Sequence, residues 1–218
     1  YNFRWIGEQI RKHDKKHPVT TNPADFFLSN DKYDLADHRN IIDIFGASMH
    51  AAWQLQMMPR EKYAYSTAGI CEILRAHAPN NRFWVGEMQA GNNIFSGRTP
   101  ICPERNDLAQ WVWSSIGTGA RKVIYWSANY RRQSGEAGEW GIFGFKGEDT
   151  DRSLVTKEIN EVIEKNDDFF NKNGHYPAKI VEPTPEKKIY NPLEGIEYDE
   201  TGRIIPTADG RELERYDI

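Results

Sequence analysis

Cysteine is almost missing from this chain. Two residues in 218, Cys71 and Cys102, are too few for a disulfide framework and lack metal-site spacing. They read as one buried thiol and one loop thiol, and they do not indicate a compartment. Excess positive charge is missing too: 28 Lys and Arg against 32 Asp and Glu leave a net charge of −4, without the basic footprint that nucleic acid requires. The one basic run, residues 12–17, reads as the solvated end of a helix. No stretch approaches the roughly 18 consecutive apolar residues of a membrane span. No glycine-rich phosphate loop follows an apolar run, which argues against nucleotide binding. No G-x-S-x-G elbow supports a serine hydrolase. His13, His17, His38, His77 and His175 are scattered without ligand spacing, so neither a metal nor a cofactor is expected.

What is present is a globular composition, 39% hydrophobic and 28% charged, with 12% aromatic residues and seven Trp. Such aromatic content suits either a sugar or planar-ligand site or an aromatic core. The opening Tyr1-Asn2-Phe3-Arg4-Trp5, with no Met and no signal peptide, is expected to be the interior of a protein rather than its natural start.

Hydrophobic periodicity orders the chain. Phe3, Ile6 and Ile10 predict a helix over residues 2–16. Short strands are predicted at 17–21, 41–46, 83–87 and 122–126, and helices at 59–78, 104–117 and 154–171. Leu108, Trp111, Val112 and Ser115 share one face of the helix at 104–117, and Pro79-Asn80-Asn81 stops the helix before it. Continuous apolar strands between long helices imply a parallel sheet buried on both faces. A doubly wound sheet and a barrel are both open on that pattern. A whole (β/α)8 barrel takes about 250 residues, so four strand–helix units over residues 1–172 fit the C-terminal half of a TIM barrel in the α/β class. Such a half leaves two sheet edges open. Residues 173–218 carry Pro177, Pro183, Pro185, Pro192 and Pro206, and read as an irregular tail with short strands near Ile180-Val181 and Ile204-Ile205, or as the start of a following domain.

In a barrel the strand C-termini form the active face. Asn22, His50, Glu87 and Trp126 fall at four successive strand ends, and the loop beyond the fourth holds Glu136, Glu139 and Trp140. Polar, acidic and aromatic groups in that arrangement suit a neutral, hydroxyl-rich ligand. Glu87 is the candidate nucleophile, since retaining glycosidases use a rigidly held carboxylate facing a second carboxyl about 5–5.5 Å away. The competing reading makes Glu87 a rim ion pair with Arg82, Arg98 or Arg121, on a non-catalytic carbohydrate-binding or scaffold barrel. A further alternative is an unrelated α/β protein whose Trp residues are all core.

Three stretches resemble glycoside hydrolase family 42, the β-galactosidase family of retaining barrel glycosidases. Pro18-Val19-Thr20-Thr21-Asn22, with Phe26-Phe27 and Asp43-Ile44 after it, is similar to that family's fifth strand and its approach to the sixth. Trp84-Val85-Gly86-Glu87-Met88-Gln89 is similar to its seventh, and Gly119-Ala120-Arg121-Lys122-Val123-Ile124-Tyr125-Trp126 to its eighth. The resemblance implies that Glu87 is the nucleophile, that Trp126 lines the sugar subsite and that Glu136 binds sugar hydroxyls. Three positions depart from the family: Phe95 stands where a Trp is usual, Glu139 where a His is, and His50 where a Tyr is. The general acid/base of that family follows its fourth strand, which would lie before Tyr1. The expected partner is therefore a glycoside or oligosaccharide, met together with an N-terminal half-barrel outside this sequence. Phe95, Trp126 and Trp140 would line the subsite, and Asn22, His50, Glu136 and Glu139 would bond the sugar. Sugar identity, compartment and oligomeric state, homo-oligomer included, stay open.

Overall fold

A computed structural model of the chain describes residues 2–24, 35–55, 58–96, 99–173, 197–198 and 204–205. The chain divides into two compact units, Tyr1–Ala178 and Lys179–Ile218. In the first, α1 (Asn2–His13) leads to β1 (Thr20–Thr21), α2 (Leu35–His38), β2 (Ile44–Met49) and α3 (Ala51–Gln54). Then come α4 (Tyr63–His77), β3 (Phe83–Gln89), α5 (Arg105–Gly117), β4 (Ala120–Trp126), α6 (Asp151–Lys165) and α7 (Asp167–Asn173). In the second unit β5 (Glu197–Tyr198) pairs antiparallel with β6 (Ile204–Ile205). Ile180-Val181, Phe26-Phe27 and most of the proline-rich tail lie outside the described residues.

The four strands β1 to β4 form one sheet in sequence order, every neighbouring pair parallel. That order is the running arrangement of a barrel wall, without the crossover of a doubly wound sheet. Phe45, Ala47 and Met49 of β2 and Phe83, Val85 and Met88 of β3 join one core with Ile70, Cys71 and Leu74 of α4, Leu108, Trp111 and Val112 of α5, and Val155 and Ile159 of α6. Among the described residues the helices therefore cover one face of the sheet, the outer one, rather than both. The intervening, inner-facing positions are Gly46, Ser48 and His50 after Ile44, then Trp84, Gly86, Glu87 and Gln89, and on β4 Lys122, Ile124 and Trp126. Ile124 keeps 43% of its surface exposed on that side.

Local sequence chemistry fixes the helix ends. Glu104 and Asp107 form a reciprocal capping box at the start of α5, as Thr150 and Ser153 do for α6. The helix expected over 154–171 breaks at Asn166, whose side-chain amide donates to the Val162 carbonyl at 2.8 Å and competes with the backbone ladder. Cys71 is buried, and burial pushes its thiol up to about 11, while Cys102 is exposed. The apolar residues of α1 that mark the helix, Phe3, Ile6 and Ile10, are exposed and line a cavity of about 320 Å³ together with Val19, Thr21 and Pro23. No helix among the described residues is long and apolar enough to cross a membrane.

Candidate active site

Glu87 does not end its strand; β3 continues through Met88 and Gln89. It sits on a bulge instead. Ala47 and Ser48, adjacent on β2, pair with Val85 and Glu87, which skips Gly86. On the other side Val123 and Tyr125, two apart on β4, pair with Val85 and Met88, three apart. Both neighbours therefore place one extra residue in β3. Strict alternation would send Glu87 outward with Phe83 and Val85, into the apolar layer under the helices. The extra residue turns it inward and lets Met88 fill the core position. A Cβ at 86 would collide with Asn22 Oδ1, so a larger residue there would push the Asn22 side chain aside.

Three inner-face groups converge on the Glu87 carboxylate. The Ser48 hydroxyl donates to Oε2 at 3.2 Å, His50 Nε2 lies 3.2 Å from the same oxygen, and the Asn22 amide also bonds the carboxylate. With Glu87 ionised, Nε2 of His50 carries the proton and donates it. That hydrogen bond is the main reason the Glu87 carboxyl is held below its ordinary range; burial opposes it, while the electrostatic pull of His50 and the bonds from Ser48 and Asn22 reinforce it. The Glu87 side chain keeps 31% of its surface open, so the group is both ionised and reachable. Among the described residues no arginine pairs with it; Arg121 bonds the Phe170 carbonyl, and Arg98 lies outside the described residues.

His50 is itself held in an aromatic box. It stacks on Trp53 at 5.5 Å and meets the edge of Trp140 at 4.9 Å, with Trp53 and Trp140 perpendicular at 5.7 Å. Trp140 is fully buried at φ 69°, a left-handed conformation rare for a bulky side chain. Two backbone bonds hold it there: its N–H donates to the Asn92 carbonyl and its carbonyl accepts from Ser127 N–H, both at 2.8 Å. The indole N–H of Trp140 and Nδ1 of His50 are buried without a hydrogen-bond partner among the described residues. Replacing His50 by Phe keeps a ring in the box and removes the Nε2 donor. The expected result is that Glu87 titrates at higher pH than in the unsubstituted protein, read by a carbon-13 NMR titration of the glutamate carboxyls. An unchanged titration would mean that His50 does not hold this carboxylate.

The other expected site residues fall into two groups. Trp126 ends β4 on the inner face, with the Arg131 guanidinium 5.6 Å from its ring, and Arg131 in turn pairs with Glu136 at 2.8 Å. Asn22, His50, Glu87 and Trp126 thus share the inner face, and Glu136 is linked to it through Arg131. Glu139, Trp140 and Phe95 are placed differently. Glu139 is fully buried, with its carboxylate bonded by the loop after β3. Trp140 is a buried wall behind His50, and Phe95 is 76% exposed on that same loop. The loops after β3 and β4 meet backbone to backbone at Gly91, where a Cβ would collide with the Trp140–Gly141 peptide. Sequence reasoning missed Ser48 and Gln89. Gln89 is buried, accepts from Ala52 N–H at 2.8 Å and donates to the Gly91 carbonyl at 3.1 Å. Polar residues inside an otherwise apolar strand were the available signal for both. No cluster of metal-ligating side chains occurs among the described residues.

The glycoside hydrolase family 42 description, beta-galactosidase, matches residues 2–168. No curated protein matches the chain. Among solved structures it is similar to the beta-galactosidase of the psychrophilic Marinomonas ef1, at 17% identity and a TM-score of 0.65, over 80% of this chain and 28% of that one. The beta-galactosidase of the Antarctic haloarchaeon Halorubrum lacusprofundi gives 18% and 0.63, over 73% and 25%. That of Bacillus circulans sp. alkalophilus gives 14% and 0.64, over 77% and 23%. At these identities the likeness is one of fold, and the chain spans about a quarter of the length of those proteins.

Proposed function

Because the chain belongs to the glycoside hydrolase family 42 β-galactosidases, we propose that it carries the nucleophile side of a retaining glycosidase site, with Glu87 as the nucleophile. The observation that carries this reading is the bulge at Gly86 and Glu87, which turns one carboxylate onto the inner face where Asn22, Ser48 and His50 meet it. In the first step an oxygen of Glu87 bonds the anomeric carbon, and the glycosidic oxygen departs with a proton from a second carboxyl. In the second, water attacks the same carbon, yields its proton to that second carboxyl and frees Glu87. The hydrogen bonds from His50 and Ser48 keep Glu87 ionised for attack and receive it again as the glycosyl bond breaks. Asn22, Trp126 and Glu136 are assigned to the sugar, a β-galactoside or a close relative.

The second carboxyl is assigned to a part of the barrel outside β1 to β4. Three observations support that. Glu136 is engaged by Arg131, Glu139 is enclosed by backbone N–H groups, and the apolar residues of α1 and Ile124 of β4 are exposed where further strand–helix units would pack. General acid–base assistance contributes typically about 10²–10⁴-fold, so the four-stranded part alone is expected to be very slow on unactivated glycosides.

The test is covalent trapping with 2-deoxy-2-fluoro glycosides bearing a dinitrophenolate leaving group, which departs with little acid assistance. A mass increase of one fluorosugar, mapped to Glu87 and absent after Glu87→Gln, is the expected result. Failure of galactosyl, glucosyl and mannosyl reagents to label Glu87 in the completed barrel would overturn the assignment.

A further inference from the structure

The Glu139 carboxylate is fully buried, yet its bonding partners among the described residues all come from one short segment. One oxygen accepts the backbone N–H groups of Ile94, Phe95 and Ser96, the last at 3.0 Å, and the other accepts the Ser96 hydroxyl. A buried charge is tolerated only when such donors satisfy it, and successive N–H groups curled around one oxygen form an anion nest. Here the anion belongs to the protein. Glu139 lies in the loop after β4, and the segment it gathers follows the nucleophile strand β3. Between two anchored neighbours Phe95 turns outward, exposing 76% of its surface while its own N–H is drawn in. Asn93 secures the far side, accepting Ile101 N–H at 2.9 Å and donating to the Ser96 carbonyl.

We propose that Glu139 is a positioning residue: its buried carboxylate ties residues 94–96 to the loop after β4 and so fixes the outward-facing Phe95 as a rigid apolar wall of the glycoside cleft, governing how tightly a glycoside is held rather than how fast its bond breaks. The inference rests on the Glu87 assignment for the location of the cleft. It makes Glu139 a structural anion instead of a group that meets sugar hydroxyls. Removing its charge leaves three N–H groups on a weaker, neutral acceptor and loosens the segment, while the Glu87 carboxylate and its His50 and Ser48 donors stay in place.

The experiment compares Glu139→Gln, Ser96→Ala, Phe95→Ala and the Glu139→Gln/Phe95→Ala pair in the full protein. Amide hydrogen exchange, binding of 1-deoxygalactonojirimycin and turnover of dinitrophenyl galactoside are read together. Glu139→Gln is expected to speed exchange at Ile94, Phe95 and Ser96 by about tenfold or more, leaving β2 and α5 amides unchanged. It should weaken inhibitor binding and raise KM by about tenfold while kcat moves less than about threefold. Ser96→Ala should act in the same direction more weakly, and it carries the test should Glu139→Gln loosen α5 as well. Phe95→Ala should reproduce the affinity loss, and the double variant should be no worse than either single one. Unchanged exchange at 94–96, a loosened segment with unchanged affinity, additive losses, or no inhibitor binding by the unsubstituted protein would each overturn the proposal. Glu139→Gln effects with Glu87 unlabelled would sink the nucleophile assignment instead; a labelled Glu87 with an inert Glu139→Gln would sink this one.

Discussion

Replacing Glu87 by alanine in the completed barrel is expected to reduce kcat on β-glycosides by on the order of 10⁴–10⁶-fold, the range seen when a hydrolase loses one member of its catalytic group. The argument starts from what surrounds the side chain. His50 Nε2 and the Ser48 hydroxyl each lie 3.2 Å from one carboxylate oxygen, and truncation leaves both donors aimed at empty space on the inner face. That space suits a small anion. Azide or formate should enter it, accept the same hydrogen bonds and attack the anomeric carbon of a dinitrophenyl glycoside from the side Glu87 would have used. The diagnostic outcome is partial rescue with a glycosyl azide of the configuration opposite to the substrate, identified by proton NMR. An azide product with the substrate's configuration would point to a lost acid/base instead of a nucleophile. Turnover unaffected by the substitution would remove Glu87 from the chemistry altogether.

Trp140→Ala should give the largest loss of stability, about 3–5 kcal/mol by analogy with other buried aromatic truncations. Trp140 is fully buried, packs its edge on His50 at 4.9 Å and meets Trp53 at 5.7 Å, so the void would open directly behind the group that orients Glu87. Its left-handed backbone adds a second effect: alanine inherits the φ of 69° while losing the packing that offsets it, whereas glycine is relieved of that strain. Trp140→Gly is therefore expected to be less destabilised than its smaller side chain alone would dictate. Urea denaturation followed by circular dichroism measures both, and fluorosugar labelling rates report whether His50 still holds Glu87. A loss below about 1 kcal/mol for Trp140→Ala would show that the box is not a packed structure.

Much of the architecture is legible in the sequence where hydrophobic period and helix punctuation agree. The buried face of α5 is formed by Leu108, Trp111, Val112 and Ser115, the residues its periodicity selects. β2 shows where the signal fails. The strongest apolar run, 41–46, suggests a strand three residues early, while the real one runs on through Gly46, Ala47, Ser48 and Met49. Small and polar residues on the inner face carry no hydrophobic signal, yet that face must be small and polar beside a site. The candidate site is legible as a set of residues near the strand C-termini, but its mechanics are not: Glu87 stands two residues inside β3 rather than at its end. Nothing in Gly86-Glu87 distinguishes a bulge from a regular pleat, because the extra residue shows only in the pairing of both neighbours. Likewise, a loop glutamate such as Glu139 looks like any exposed acid until the segment at 94–96 folds around it.

The two borders of the four-stranded sheet are unequal. β1 offers two residues and β4 seven, with Ile124 left bare on the inner side. A border of that length is a template: an incoming parallel strand gains several rungs of hydrogen bonding at β4 and almost none at β1. The same inequality makes β4 the border from which unwanted stacking of copies would start, so a charged residue in place of Ile124 is the natural guard.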